Sequence, residues 1–307
     1  MLAYGTRRSE GAHDPIFHRI VALDDGDTRF VLISTDVAGI SPAFHDQVVA
    51  VLEAEADLGL DQVWWTATHT HSGPVLGTVG LLGVMRPKWI ARYGHDPNPE
   101  YSEWAKNRLL EGIRRAVSDL RPARLGLGTG QSLANINRRP LDLEGKAFFG
   151  KNPDGPVDHG IGLIRLERYD GSPLALIANY AVHGTVLGGK NLKLISGDAP
   201  GIVAEYVEKE WSAPVLFING AAGNLSPIHE HLDFTSERQA PMNLKALLHF
   251  RVLLGQPILE ANSGITTTSE VELGLGGTVV ETPRSRRTCP GPVRSTPTCA
   301  PMTLGIG

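Results

Sequence analysis

The apolar run Val63-Trp64-Trp65-Thr66-Ala67 leads straight into Thr68-His69-Thr70-His71-Ser72-Gly73-Pro74, and this junction constrains the chain more than any other stretch. A short apolar run closed by Gly and Pro predicts a buried strand with a sharp end. Carrying its two-residue alternation into the loop puts His69 and His71 on one face, with Thr68 and Thr70 on the other. Two imidazoles on one face can share a metal ion, or one can bind it while the other moves protons. The plainer alternative is a pair of loop histidines hydrogen-bonded to backbone.

Upstream, Phe17–Leu23 and Arg29–Asp36 predict a hairpin around Asp24-Asp25-Gly26-Asp27, and Ser41-Pro42 opens a helix to about Leu58. Strand, helix and strand in that order imply a βαβ unit, with the histidines at a strand's carboxyl end, where open α/β sheets place their sites. Residues 75–99 are rich in Gly and Pro and are expected to form a lid or substrate wall. A helix is expected over 100–119 with Trp104, Leu109, Leu110, Ile113 and Val117 on its apolar face. A strand near 124–128 follows, then a hairpin of 161–167 and 174–180 that delivers His183-Gly184-Thr185. Further on come a helix at 202–211, a buried strand at 215–218, a helix near 244–259 and a strand near 266–275. The expected class is α/β: mixed β-sheets flanked by helices in one large domain, residues 1–282. From Pro283 the chain becomes an aperiodic mixture of Pro, Thr, Arg and Cys, expected to be a disordered tail over 283–307.

Composition removes several functions. The 29 Lys and Arg against 33 Asp and Glu leave a net charge of −4, so no basic footprint suggests nucleic acid. No run approaches the roughly 18 apolar residues of a membrane span. The start, Met1 to Arg8, has no apolar core of the signal-peptide type, and the compartment is left open. Cys289 and Cys299 carry no metal-site spacing.

His69, His71 and His183 together suit zinc, which favours nitrogen ligands in tetrahedral geometry. Asp198 is either a further ligand, an orienting carboxylate or the cap of the helix it precedes. The Gly220–Pro227 loop is no phosphate loop, since Gly-Lys-Ser/Thr is missing, and no nucleophile elbow, since Gly-x-Ser-x-Gly is missing. Ser226 is a catalytic hydroxyl or a turn residue before Pro227. Arg138 could steady an oxyanion or sit in a surface ion pair. The His-x-His-x-Asp-His of metallo-β-lactamases does not fit, because Ser72 and Gly73 follow the pair. The amidohydrolase barrels place His-x-His on their first strand, whereas two strands and a helix precede it here. The His-Glu-x-x-His of zincins is absent.

Several blocks, in order, resemble one family, the neutral or alkaline non-lysosomal ceramidases. They are Tyr4-Gly5-Thr6-Arg7 with His13-Asp14-Pro15, then Thr68–Pro74, Asn137-Arg138-Arg139-Pro140, His183-Gly184-Thr185 with Ile195-Ser196-Gly197-Asp198, and Gly223-Asn224-Leu225-Ser226-Pro227. The resemblance implies a zinc amidase that cleaves the N-acyl bond of ceramide to sphingosine and a fatty acid. It implies zinc on His69 and His183, His71 beside them as proton shuttle, and Ser226 and Arg138 at the reacting carbonyl. Other N-acyl or ester substrates, or a non-catalytic relative, are the alternatives. Peripheral membrane contact fits a lipid substrate, and a secreted or periplasmic setting is the family's. Arg139 departs from the family's usual Ser. The family's remaining zinc ligands, a Glu and a Tyr, are expected to lie outside this chain, as are the first strand and the C-terminal immunoglobulin-like domain.

Overall fold

The computed structural model describes residues 9–77, 99–187, 193–229, 240–276, 278–281 and 303–306. Most of the expected lid and most of the expected tail lie outside them. After a short β1 (Gly11–Ala12), the predicted hairpin forms as β2 (His18–Asp24) and β3 (Arg29–Thr35), paired antiparallel around the Asp24–Asp27 turn. Helix α1 (Pro42–Ala56) begins as its sequence dictates. The Ser41 hydroxyl accepts the Phe44 N–H at 3.2 Å, and Pro42 occupies a first-turn position where its missing N–H costs nothing. It ends at Asp57 in a left-handed conformation, φ 53°, slightly before the expected Leu58. β4 (Val63–Ala67) then pairs parallel with β3, completing the βαβ unit.

Helix α2 (Pro99–Ser118) buries Ser102, Ala105, Leu109, Leu110 and Ile113, a stripe at three- and four-residue spacing. Trp104 falls one step off that stripe. Contrary to expectation it is exposed, stacked on Tyr101 with centroids 5.6 Å apart. A second mixed sheet follows in the order β10-β8-β7-β5, from β5 (Arg124–Gln131), β7 (Gly160–Glu167), β8 (Pro173–Tyr180) and β10 (Val215–Asn219). Two small pairs lie beside it: β6 (Asn135–Asn137) with β11 (Leu225–Pro227), and β1 with β9 (Leu194–Ile195). Helix α3 (Asp198–Trp211) joins β9 to β10.

Alternation along the strands sorts the core into layers. On β3, Val31 and Ile33 face α1 and α2, while Phe30 and Leu32 face the other sheet. On β8, Ala175 and Ile177 meet Phe30 and Leu32, while Leu176, Ala178 and Tyr180 turn to α3 and the C-terminal helices. The result is helices, sheet, sheet, helices. β3, β8 and β10 are covered on both faces, which is why they read as near-continuous apolar runs.

The expected helix near 244–259 forms as one run, α4 (Ala240–Phe250), a π-helical stretch at Arg251–Gly255 and α5 (Gln256–Ser263). Pro257 has no N–H to give the Leu253 carbonyl, and the Ser132 hydroxyl donates to it instead at 2.6 Å. The expected strand near 266–275 is absent. That stretch makes one bridge, Leu125 with Thr268, while α5 and Ile265 pack on the face of β5 that Gly126, Gly128 and Gly130 leave bare. Within the sequence expected to be an aperiodic tail, β13 (Thr303–Ile306) pairs antiparallel with β12 (Thr278–Glu281). Among the described residues no helix is long and apolar enough to cross a membrane.

Candidate metal centre

β4, β8 and β10 all end at the same edge of the molecule, and the three histidines stand just past the first two of them. The expected extension of β4 does not occur. The strand stops at Ala67, and His69 adopts φ 63°, a left-handed conformation that costs a non-glycine residue roughly 1–2 kcal/mol. That reversal, rather than strand alternation, turns His69 toward His71 and His183. The loops are stitched together by a parallel bridge between Thr70 and Gly184 and by the His71 N–H donating to the Gly184 carbonyl at 2.7 Å. Only glycine fits at 184, since a Cβ there would lie 2.7 Å from the Thr70 Cα.

Asn219, the last residue of β10, closes the frame. Its amide donates to the Thr68 carbonyl at 3.1 Å and the Val182 carbonyl at 2.9 Å, and its oxygen accepts the Val182 N–H. Sequence reasoning passed over it. Its one signal was an Asn at the carboxyl end of a buried strand, immediately before a glycine-rich loop.

The ring nitrogens define the chemistry. His69 Nδ1 lies 2.5 Å from the Ala38 carbonyl and His183 Nδ1 lies 2.7 Å from the Ala222 carbonyl. A carbonyl only accepts, so both Nδ1 atoms carry the proton and both Nε2 atoms present a lone pair. Those two lone pairs face one another at 3.1 Å, and His71 Nε2 lies 3.4 Å from His69 Nε2. Two acceptors at that distance repel unless a cation stands between them. Tetrahedral zinc with bonds near 2.0–2.1 Å sets its nitrogens roughly 3.3 Å apart, so the residues present fit the ion. The backbone carbonyls that fix each tautomer are the partners metal-binding histidines usually have. Among the described residues the cluster contains no carboxylate.

Arg138 reaches the same point from the strand pair below. Its Nη2 donates to His183 Nε2 at 3.0 Å and to the Gly223 carbonyl at 2.9 Å, and its guanidinium lies over the Phe149 ring at 5.4 Å. Burial, then the Arg138 charge, then His69 push His183 down to about 4, so its imidazole is neutral at physiological pH. Ser226 sits on β11 opposite Ile136, next to the Leu225 backbone that abuts His183. Its hydroxyl is buried and, among the described residues, has no hydrogen-bond partner. Asp198 is not at the metal centre. Both of its oxygens are taken by backbone N–H groups of Val186, Leu187 and Ala199, at 2.7–3.0 Å, so it braces the turn after His183 and the start of α3. Burial raises it to about 6.

With this geometry in hand, the relatives are informative. Residues 2–222 match the model of the neutral/alkaline non-lysosomal ceramidase N-terminal domain, and the chain belongs to that family. It is 31% identical over 232 residues to the neutral ceramidase of Mycobacterium tuberculosis, covering 68% of this chain and 33% of that protein. It is 28% identical over 248 residues to the neutral ceramidase of Pseudomonas aeruginosa, covering 74% and 34%. The crystal structure of the Pseudomonas aeruginosa neutral ceramidase superposes with a TM-score of 0.67 at 23% identity, over 88% of this chain and 43% of that one. The chain thus spans about a third of the length of the curated relatives it matches. Ser226 lies just past the family match; the three histidines and Arg138 lie within it.

Proposed function

We propose that this chain carries the metal-binding part of a zinc amidase site that hydrolyses the N-acyl bond of ceramide, releasing sphingosine and a fatty acid. The observation that carries the reading is the meeting of three imidazoles, with His69 Nε2 3.1 Å from His183 Nε2 and 3.4 Å from His71 Nε2, close to the spacing of nitrogens on a tetrahedral ion. His69 and His183 would hold zinc, and His71 would either join them or move protons beside them. A zinc ion there supplies Lewis acidity toward a carbonyl and toward water.

The protein's own groups do the rest. His183 has one lone pair on Nε2, so it cannot serve a metal and accept from Arg138 together. Once that lone pair is committed, the Arg138 Nη2 donor is released to meet a carbonyl oxygen as negative charge grows on it. Ser226 then orients the substrate from a buried position where its hydroxyl has nothing else to bond. His71, half-buried at the rim, takes a proton from the attacking water and returns it to the departing amine.

A lipid substrate is supported by the turn that rises from Arg138. Leu141 bridges to Ala147, and Leu141, Leu143, Phe148 and Phe149 stand 42–103% exposed on it. Such a cluster beside the site suits contact with a lipid surface. The test is zinc content and hydrolysis of a short-chain fluorescent ceramide, for the wild type and His69→Ala. Stoichiometric zinc with turnover that the substitution abolishes supports the proposal; undiminished turnover in His69→Ala sinks it. An acyl-amide panel hydrolysed in preference to ceramide would move the assignment to another N-acyl substrate.

A further inference from the structure

We infer that Asp36 is a positioning residue for the histidine centre: its buried carboxylate fixes the Asp36–Ala38 segment on which the His69–Gly73 loop is seated. The inference rests on reading the histidines as metal ligands.

The segment just after β3 has no helix or sheet ladder of its own, yet the loop leans on it at two points. The Ala38 carbonyl takes the His69 Nδ1–H and so sets both the tautomer and the direction of the ring. Gly73 lies so close that a Cβ there would fall 2.8 Å from the Asp36 carbonyl and 3.2 Å from the Val37 Cα. A shift of a few tenths of an ångström in this segment therefore reaches His69 directly.

What holds the segment is Asp36. Its Oδ2 accepts the Phe17 N–H at 3.0 Å and Arg19 Nη1 at 3.1 Å, and its own N–H donates to the Phe17 carbonyl at 3.1 Å. Arg19 in turn forks onto Glu208 of α3, at 2.7 and 3.2 Å. A line of directional contacts thus runs from α3 through β2 to the seat of His69. Both Asp36 and the Arg19 side chain are almost fully buried, with exposures of 1% and 6%. Apolar side chains of similar size often stabilise a fold as well as a buried ion pair does. A charged pair at this place supplies what they cannot, a fixed direction for the backbone beside a ligand.

The experiment compares Asp36→Asn with Glu208→Gln, at the other end of the same network, in the full chain. Zinc affinity is measured by competition with a chromophoric chelator. The His69 Nδ1–H is followed by nitrogen-15 correlation spectra of metal-free protein, and folding by thermal circular dichroism. Asp36→Asn is expected to weaken zinc 10- to 100-fold, the range found when an outer partner of a metal-bound histidine is lost, and to weaken the Nδ1–H signal. Glu208→Gln should lower the melting temperature while leaving both readouts in place. Equal zinc affinity in the two variants at equal loss of melting temperature overturns the inference. If Asp36→Asn does not fold, Arg19→Lys takes away the Nη1 donor that Asp36 Oδ2 accepts together with the fork onto Glu208; zinc affinity no weaker than in Glu208→Gln would then overturn it. A wild type that binds no zinc refutes the metal reading instead, and the Nδ1–H signal still reports on Asp36.

Discussion

The two histidine loops arrive at one point held by different forces. The His69 loop follows β4, half-exposed, and reaches its place by a left-handed backbone turn braced against Ala38. The His183 loop follows β8 and is buried, with ordinary backbone angles, and is kept neutral by burial and by Arg138. One ligand is aimed by the backbone, the other by its surroundings. A strained ligand relaxes when its brace is cut, whereas a buried one keeps its direction and loses its stability instead. The two sides should therefore fail in different ways.

The largest effects come from the ligands themselves. His69→Ala and His183→Ala are each expected to weaken zinc by more than about 100-fold, beyond the loss of an outer partner, and to take ceramide hydrolysis to background. They should differ in stability. His69→Ala removes a half-exposed ring and keeps the same left-handed backbone cost, since alanine also carries a Cβ, so its melting temperature should change little. His183→Ala opens a cavity in a fully packed place and should melt lower. Equal melting temperatures would erase the distinction. Next is Gly184→Ala, where the new methyl would meet the Thr70 and His69 backbones at 2.7–2.9 Å. Forcing apart two backbones that cannot yield costs about 1–3 kcal/mol and should weaken zinc as well. Thermal melts with chelator competition would show both losses together.

Acid should sharpen the contrast further. His18 and His183 are both pushed to about 4, chiefly by burial, from an ordinary value of 6.5. Below pH 6.5 the unfolded chain takes protons that these folded imidazoles refuse, so stability falls as pH drops from 6.5 to 4. Asp198 works against them: raised from 3.8 to about 6, it keeps a proton in the fold that the unfolded chain has released, so its contribution grows as pH falls through that window. Burial raises Asp36 and Glu205 in the same direction as Asp198, so three carboxylates oppose the two imidazoles. The clean readout is a difference: between pH 7 and pH 5, metal-free His18→Gln should lose less stability than the wild type in thermal melts. Equal pH dependence in the two proteins would show that His18 carries none of the acid sensitivity.

Much of this frame was legible because it is local. The first hairpin, α1 with its Ser41-Pro42 start, and the β4 strand each announce themselves within a few residues. So did the histidines, Arg138 and Ser226, whose residue types suggested roles before any geometry. What was hidden is long-range. Nothing near residue 69 says that its backbone reverses, or that Ala38 supplies the carbonyl that sets its tautomer. Asp198 had a ligand's residue type at a plausible spacing, yet three backbone N–H groups already occupy it. Trp104 was read as core because it is apolar, although the buried stripe of α2 passes beside it. Backbone partners leave no mark in side-chain chemistry, and that is where the reading stopped.

Ser226 offers the smallest change in stability and the finest cut between its two roles. Its hydroxyl is buried and unbonded, so the fold already bears the cost of stripping water from it. Removing the oxygen in Ser226→Ala should leave the unfolding free energy within about 0.5 kcal/mol of the wild type, or raise it slightly. A turn residue would show nothing more. A hydroxyl that orients the reacting carbonyl should cost on the order of 10- to 100-fold in kcat with KM little changed. A group that attacked the carbonyl itself would leave no measurable turnover and would show an acyl-enzyme burst in the wild type. Because the Ser226 hydroxyl bonds to neither histidine loop among the described residues, zinc affinity should be the same in Ser226→Ala and the wild type. A loss of kcat with zinc and stability intact would place Ser226 in the reaction and leave the two-sided histidine centre as the source of metal binding.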